Sequence, residues 1–588
     1  MTRQQVYKGH PIAPGIALGP AFLIRRERQE VPLRRISRNQ VSFELEKLDL
    51  AISMARRDLR HHRMKAMRTL GDIVARIFDA HLMFLEDEPT FDSIRDIVRN
   101  ETVSADYAVY HTLENVARNF EAQKEDVFRD RAQDVRDVMG RVIAYLDGTD
   151  TGLIGQITGP SVLIAQELNP SDVMQLDPEM VLGVATCTGG TTSHTAILTA
   201  SLGVPSVIGV PEILDAAQLG DLIAINGNSG KVVVRPNAVQ IDKYREKQNQ
   251  YRTFVQSLRN IRDTLAMTRD GHRVGLMANI ELPHEAERVA LFGGEGVGLY
   301  RTEYLVPAQA GLPNETTQEK EYRRVVEALR GKPLVIRTFD LGGDKAFPGS
   351  GIPPQANPFM GWRAVRVAMD RPEMLIPQLR AILRVASTGP VSIMFPMISN
   401  LDELLKLKDL LEKAKQELRS EHVHIPEPVS LGIMVEVPAV AMLADRFAPH
   451  VDFFSIGTND LAQFALAVDR SNDHVAELHD PFNPAVLQLI STTVLAGRKH
   501  GLKVSLCGEL AGNPLATLLL VGLGLDELSM SPALIPEIKK LILSATWEES
   551  RDLAGRALEA DTGAQVRDLL LRAMRRRFRD MPIWFGDR

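Results

Sequence analysis

The sequence predicts a multidomain α/β protein: an α/β domain with a helical bundle inserted in it, then a C-terminal TIM (β/α)8 barrel. Three observations predict it. Strand-like segments flank a stretch from Ile36 to Leu146 that nearly lacks glycine and proline and spaces its apolar residues helically. A long polar helical stretch follows over residues 237–265. The rest of the chain then repeats a pattern of strand and helix eight times.

The first segment, "VYKGHPIAPGIALGPAFLI" (6–24), mixes Gly, Pro and β-branched residues and reads as short strands with tight turns. In "FELEKLDLAISMARRDLRHHRMKAM" and "DIVARIFDAHLMFLEDE" charged and apolar residues alternate at helical spacing, predicting a bundle of about four helices. Strand texture returns at "SVLIAQEL", "MVLGVATC", "PSVIG", "DLIAING" and "GKVVVRP". Residues 1–30 and 148–236 therefore form the α/β domain and 31–147 its insertion, with the connector over 237–265 and the barrel over 266–575. The barrel strands are expected at 273–280, 296–303, 333–340, 391–398, 430–437, 451–460, 503–510 and 525–531. A doubly wound open sheet is the alternative to a closed barrel.

The 588 residues suffice for three or four domains, with 44% hydrophobic and 24% charged side chains. A formal net charge of −6 gives no footprint for nucleic acid. Two cysteines far apart, Cys187 and Cys507, exclude a disulfide framework. No signal peptide or membrane-length apolar run is visible, so a cytoplasmic protein is expected.

"CTGGTTSHTAILTASLGVPSVIG" (187–209) places His194 in the first turn of a helix, behind Gly189 and Gly190. Free N–H groups and the helix dipole make such a turn an anion site. Ser193 is a good N-cap. The same positive end keeps His194 neutral and nucleophilic, able to accept a phosphoryl group. The plainer reading is a capped helix with an incidental histidine.

Barrel enzymes carry their chemistry at the C-terminal ends of strands. Arg301, Arg337, Glu436, Asn459 and Asp460 fall at or near such ends, Arg470 lies ten residues beyond Asp460, and Cys507 sits within the seventh strand just before Gly508. Each has a plainer reading: Arg301 paired with Glu303, Arg470 with Asp473, Glu436 capping a loop, Cys507 packed as a small hydrophobe. Together they specify a ligand. Three guanidiniums suit a small molecule bearing phosphate and carboxylate. Glu436 and Asp460 suit Mg²⁺ shared with substrate oxygens, and the Asn459 amide can orient a phosphate oxygen. Dephosphorylating an enol ester leaves an enolate needing a proton at carbon. Cys507, with a reference pKa of about 8.5, can supply it.

"GGTTSHTAIL", "GVGLYRTEYL", "VIRTFDLGGDK", "NPFMGWRAVR", "IMFPMI", "GIMVEVPA", "FSIGTNDLAQFALAVDRSND" and "CGELAGNPLATLLLVGLGLDELSMS" resemble the enzyme I family of the phosphoenolpyruvate:sugar phosphotransferase system over nearly the whole chain. The resemblance implies a swivelling phosphohistidine domain with an inserted bundle that binds the carrier protein HPr. It implies autophosphorylation of His194 by phosphoenolpyruvate with Mg²⁺, then transfer to a histidine of HPr. It also implies that Arg301, Arg337 and Arg470 bind phosphoenolpyruvate with Asn459 and Asp460, and that Arg363 and Lys345 line the same site. Glu436 and Asp460 would hold Mg²⁺, and Cys507 would donate the proton. The barrel would form a homodimer. Within "IFDAHLMFLEDE" and "RAQDVRDV", which look like that family's carrier-binding segments, His81 and Arg131 are expected near HPr. Glu86, Asp87 and Glu88 are expected outside that contact, at a helix end.

One position departs from the pattern. The sugar branch reads Gly-Gly-Arg-Thr-Ser-His, and this chain has Thr191 in place of the arginine. The substitution leans towards the nitrogen-related regulatory branch, whose extra N-terminal sensory domain is not seen here. A paralogue that signals without turnover is a second alternative. A dikinase or phosphoenolpyruvate synthase is a third, but no glycine-rich nucleotide loop precedes residue 150.

Overall fold

Alternation along each strand lets one sheet serve two apolar layers in the N-terminal unit, residues 1–253. The strands are β1 (Gln5–Lys8), β2 (His10–Ala13), β3 (Ile16–Ile24), β4 (Ser161–Ala165), β5 (Val181–Thr186), β6 (Ser206–Ile208), β7 (Leu222–Asn226) and β8 (Lys231–Val234). They form one mixed sheet in the order β1-β8-β7-β3-β4-β5-β6-β2, with β3 to β6 parallel at its centre. On β4, Leu163 and Ala165 join one apolar cluster while Val162 and Ile164 join the other.

Between β3 and β4 the chain inserts α1 (Val41–Thr69), α2 (Asp72–Leu85), α3 (Glu88–Glu101), α4 (Ala105–Glu121) and α5 (Asp126–Asp147). Their apolar stripes share a core with the Leu163 face of the sheet. The bundle has five helices among the described residues where about four were expected. One break is the Glu86-Asp87-Glu88 junction: Asp87 is the N-cap of α3 and Pro89 lies in its first turn, which proline favours. The acidic stretch is thus a helix end, as expected.

Helix α6 (Ala238–Asn260) follows the sheet. Tyr244 and Tyr251 pack with Ile16 and Ala224 of the first unit. Phe254 and Leu258 pack into the barrel core of the second unit, residues 254–588.

The second unit is a closed, all-parallel barrel of β9 (Gly275–Ile280), β10 (Val297–Tyr300), β11 (Leu334–Arg337), β12 (Val391–Phe395), β13 (Leu431–Val435), β14 (Phe453–Ile456), β15 (Lys503–Leu506) and β16 (Glu527–Met530). All eight expected strands are present, and β16 pairs with β9 to close the ring, which excludes the open sheet. Helices used below are α7 (Glu315–Leu329), α8 (Pro372–Ala386), α9 (Thr458–Leu466) and α10 (Trp547–Leu558).

Two boundaries differ from expectation. β14 stops at Ile456, so Asn459 and Asp460 lie in the first turn of α9 rather than on a strand. Cys507 lies one residue past β15, still tied to the ladder by its N–H on the Ile456 carbonyl at 3.0 Å. The glycine after it explains how these two ends meet. A Cβ on Gly508 would sit 1.9 Å from Thr458 Oγ1, so only glycine lets α9 start this close to the end of β15.

The computed structural model describes residues 5–25, 31–69, 72–121, 126–148, 157, 159–173, 176–177, 179–188, 196, 199, 203–308, 312–342, 357–470, 472 and 474–578. Among them, no helix is long and apolar enough to cross a membrane.

Candidate active site

Because all eight strands run the same way, their C-terminal ends share one rim. Arg337 is the last residue of β11 and is almost fully buried. Its Nη2 donates to Glu303 Oε1 at 2.8 Å and its Nη1 lies 3.5 Å from Asp340 Oδ2. Glu303 Oε1 also accepts the Asp340 N–H at 2.9 Å, so one carboxylate joins the ends of β10 and β11. Beneath it, Thr302 Oγ1 donates to the Arg337 carbonyl at 2.9 Å. Gln378 of α8 reaches Thr302, Tyr322 of α7 and the Phe339 N–H from below.

Arg363 is buried as deeply. It meets Asp340 bidentately, Nε to Oδ1 and Nη2 to Oδ2, both at 2.8 Å. Nη2 also reaches Asp460 Oδ2 at 3.2 Å. The next residue, Ala364, has φ 53° and ψ −124°, a strained conformation for a residue with a side chain. Its N–H is held by the Leu341 carbonyl at 2.8 Å. Neighbouring carboxylates push both guanidinium pKa values up against the opposing effect of burial. Both groups therefore stay charged. Arg337 Nε and Arg363 Nη1 are buried donors without a hydrogen-bond partner among the described residues. They are the valences a bound anion would take.

Glu436 directly follows β13 and is 1% exposed. Its Oε1 accepts the N–H of Met397 at 2.6 Å, and Met397 adopts φ 56°. Burial first, then the Asp460 and Asp340 carboxylates, push the Glu436 carboxyl far above the usual range. Asp460 Oδ1 is buried, has no hydrogen-bond partner among the described residues and lies 4.0 Å from Arg470 Nη2. Two buried carboxylates, one strained towards protonation and one with an orphaned oxygen, fit a divalent cation. Among the described residues no three His, Cys, Asp or Glu side chains could hold an ion alone. The remaining ligands would have to come from substrate and water, as hard cations commonly allow.

Cys507 faces the barrel interior beside Leu299, Met394 and Met434. Arg337 Nη1 lies 3.8 Å from the sulfur of that same Met434. Burial pushes the thiol pKa up, partly opposed by a hydrogen bond from Ser455, so the group carries its proton near neutral pH.

The rim residues are placed less directly. Arg301 pairs with Glu281 at 2.6 Å rather than with Glu303, and its side chain is 39% exposed. The Asn459 amide meets Glu509 twice: Nδ2 donates to Oε1 at 2.9 Å and Oδ1 accepts the N–H at 3.0 Å. The pair staples α9 to the segment after β15 and leaves the second Nδ2 hydrogen for another acceptor. His194 and its loop residues Gly189, Gly190, Thr191 and Ser193 lie outside the described residues, as do Lys345 and Asp473. The strand feeding the histidine loop is anchored: the Cys187 and Thr188 N–H groups donate to the Ala165 and Gln166 carbonyls at 3.0 Å.

The expectation for His81 needs correction. Its ring is fully buried in the bundle, with Nε2 3.0 Å from Asp134 Oδ1 and Nδ1 3.4 Å from Asp137 Oδ2. A helical residue on the apolar stripe turns inward, so the side chain offers nothing to a partner surface. Arg131 is exposed and pairs with Asp134 at 3.2 Å.

Asp340, which orients both buried arginines with Glu303, was not singled out in the sequence, and Glu303 was considered only as a partner for Arg301. The signal for Asp340 was present, three residues after Arg337 in "RTFD".

Comparison with known proteins agrees with this layout. Residues 8–131, 157–230 and 255–547 match, in turn, the N-terminal, mobile and PEP-binding domains of PEP-utilising enzymes. A phosphoenolpyruvate-protein phosphotransferase of Staphylococcus carnosus is 39% identical over 563 residues, covering 96% of this chain and 98% of the relative. One of Haemophilus influenzae is 39% identical over 558 residues, covering 95% and 97%. One of Priestia megaterium is 39% identical over 542 residues, covering 92% and 94%.

Proposed function

The chain belongs to the phosphoenolpyruvate-protein phosphotransferases, and from that premise we propose that it moves a phosphoryl group from phosphoenolpyruvate to His194 and then to a histidine of the carrier protein HPr. Pyruvate is the other product. The observation that supports this reading is the meeting of Arg337, Arg363, Glu436 and Asp460 at one barrel rim, with the Cys507 thiol beside them.

The donor's phosphate and carboxylate are gripped by Arg337 and Arg363, whose unpaired N–H groups turn charge neutralisation into orientation. Arg301 and Arg470 add positive charge at the rim, and Lys345 is assigned to the same substrate on the family resemblance alone. Asn459 shapes the site by holding the start of α9. A divalent cation, Mg²⁺ on this reading, would be held by Glu436 and Asp460 and would neutralise phosphoryl oxygens. His194 accepts the phosphoryl group as a neutral imidazole through Nε2. Cys507 then protonates the enolate carbon. His194 and the rim belong to different units of the chain, so turnover requires the histidine domain to visit the rim and then the carrier, a swivel on α6. The carrier docks on the helical insertion near Arg131, and the enzyme works in the cytoplasm as a homodimer through the barrel.

The test is incubation of the pure protein with labelled phosphoenolpyruvate and Mg²⁺, with and without HPr. The expected result is stoichiometric labelling without the carrier and catalytic pyruvate release with it. Pyruvate release that needs a nucleotide, or labelling that never passes to HPr, contradicts the reading. Thr191 supports one variant of it, in which the carrier belongs to a nitrogen-related regulatory branch.

A further inference from the structure

We propose that Ser455 is a positioning residue for the proton-donating thiol: its hydroxyl fixes where the Cys507 sulfur points and steadies the thiolate left once the proton has moved to carbon. This rests on the reading of Cys507 as the proton donor.

The placement follows from register. β14 and β15 are neighbours with Ser455 opposite Ser505 and Ile456 opposite Leu506. Side chains alternate, so Phe454 and Ile456 go outward to the helices while Ser455 turns into the barrel. Ser455 is fully buried and its Oγ donates to Cys507 Sγ at 3.2 Å. A buried hydroxyl is costly unless bonded, and the Cys507 sulfur, itself packed with Met394 and Met434, is the acceptor it meets.

The rest of residue 507 is held as firmly. The thiol faces the Ile456 carbonyl at 3.6 Å. The Cys507 carbonyl accepts Asn279 Nδ2 at 2.8 Å, and Asn279 Oδ1 accepts the Ser529 hydroxyl at 2.6 Å. Polar bonds thus run from Ser529 of β16 through Asn279 of β9 to the Cys507 main chain, and from its sulfur to Ser455 of β14, beside the apolar Leu299, Met394 and Met434. Their effect is to leave rotation of the S–H bond as the main freedom of the donor.

The chemistry uses that arrangement simply. The S–H bond breaks and its proton goes to the methylene carbon of enolpyruvate. The enolate electrons form the new C–H bond and the oxygen returns to a carbonyl. The S–H electron pair stays on sulfur, where the Ser455 hydroxyl faces it, and water restores the proton after pyruvate leaves. Among charged groups, Glu436, Arg337 and Arg301 act on the same sulfur, the first disfavouring and the arginines favouring the thiolate.

The test is deuterium exchange into the methyl group of pyruvate, catalysed by the full-length protein with Mg²⁺ in D2O. Ser455→Ala should lower kcat for exchange about tenfold, the scale of one lost hydrogen bond to a charged group. KM for pyruvate should stay within about twofold. Ser455→Thr should restore most of the rate. Ser455→Cys, near-isosteric and a weaker donor, should fall between Ala and wild type, which guards against a folding defect in any one variant. Exchange at the wild-type rate in Ser455→Ala, or a raised KM with unchanged kcat, overturns the proposal and leaves a packing role. Cys507→Ala separates the two failures: if it exchanges at the wild-type rate, the donor assignment itself falls.

Discussion

Arg363 grips Asp340 through two parallel hydrogen bonds of 2.8 Å and reaches Asp460 with the same Nη2 at 3.2 Å. One buried guanidinium thereby joins the ends of two different strand–helix units. Asp340 also lies 3.5 Å from Arg337, so this single carboxylate orients both buried cations of the site.

Asp340→Ala therefore removes the shared partner of Arg337 and Arg363. Breaking a buried charge pair of this kind costs about 3–5 kcal/mol. The barrel should melt well below the wild-type temperature in calorimetry. Phosphoenolpyruvate binding should weaken at least about tenfold as the guanidiniums lose their aim. Unchanged affinity in a destabilised barrel would separate fold from orientation and reject the orienting role.

Metal uptake should be coupled to proton loss. Burial and the Asp460 and Asp340 carboxylates raise the Glu436 pKa, so the metal-free protein retains a proton there near neutral pH. A cation displaces it. Titration calorimetry with Mg²⁺ at neutral pH, in buffers of different ionisation enthalpy, should report proton release. Heats that are independent of the buffer would contradict a protonated Glu436. Glu436→Gln should abolish the coupling.

The acid limb of barrel stability should carry the mark of Asp270. Its carboxylate accepts from the Thr268 hydroxyl at 2.6 Å and from the N–H groups of Trp547 and Glu548 at the start of α10. Those bonds, the Thr268 hydroxyl first, hold its pKa down at about 2 against an ordinary 3.8. A depressed folded pKa stabilises fully above the unfolded value and is lost as pH falls from there towards 2. Asp270→Asn should flatten the fall in melting temperature between about pH 4 and 2. An identical acid profile in the variant would assign that limb to other groups.

In the bundle, His81 and Arg131 should separate cleanly. His81→Ala strips a buried partner from Asp134 and Asp137 and should lower the melting temperature of the first unit. Arg131→Glu changes an exposed charge and should raise KM for the carrier with little change in melting. A large KM effect from His81→Ala at unchanged stability would return His81 to the carrier contact.

Most of the architecture was legible because it is written in periodicity. The helical spacing of the insertion and the eight strand–helix repeats declare themselves without tertiary information. The misreadings have one physical origin: chemistry that depends on what lies across space. Nothing local in "IFDAHLMF" tells whether His81 faces solvent or Asp134. Nothing in "GTND" shows that Gly508 lets α9 begin where a strand was expected. The plainer reading of Arg301 paired it with the nearest carboxylate in sequence, Glu303, while folding hands Glu303 to Arg337 and Glu281 to Arg301. Asp340 was missed for the same reason, since its weight comes from Arg363, which is 23 residues away.

The most direct test of a phosphoryl group relayed through His194 is the label carried by intact protein after exposure to radioactive phosphoenolpyruvate and Mg²⁺. Wild type should acquire one alkali-stable, acid-labile phosphoryl group per chain. His194→Ala should acquire none while binding phosphoenolpyruvate with near wild-type affinity. A labelled band that persists in His194→Ala would place the acceptor elsewhere and contradict the account.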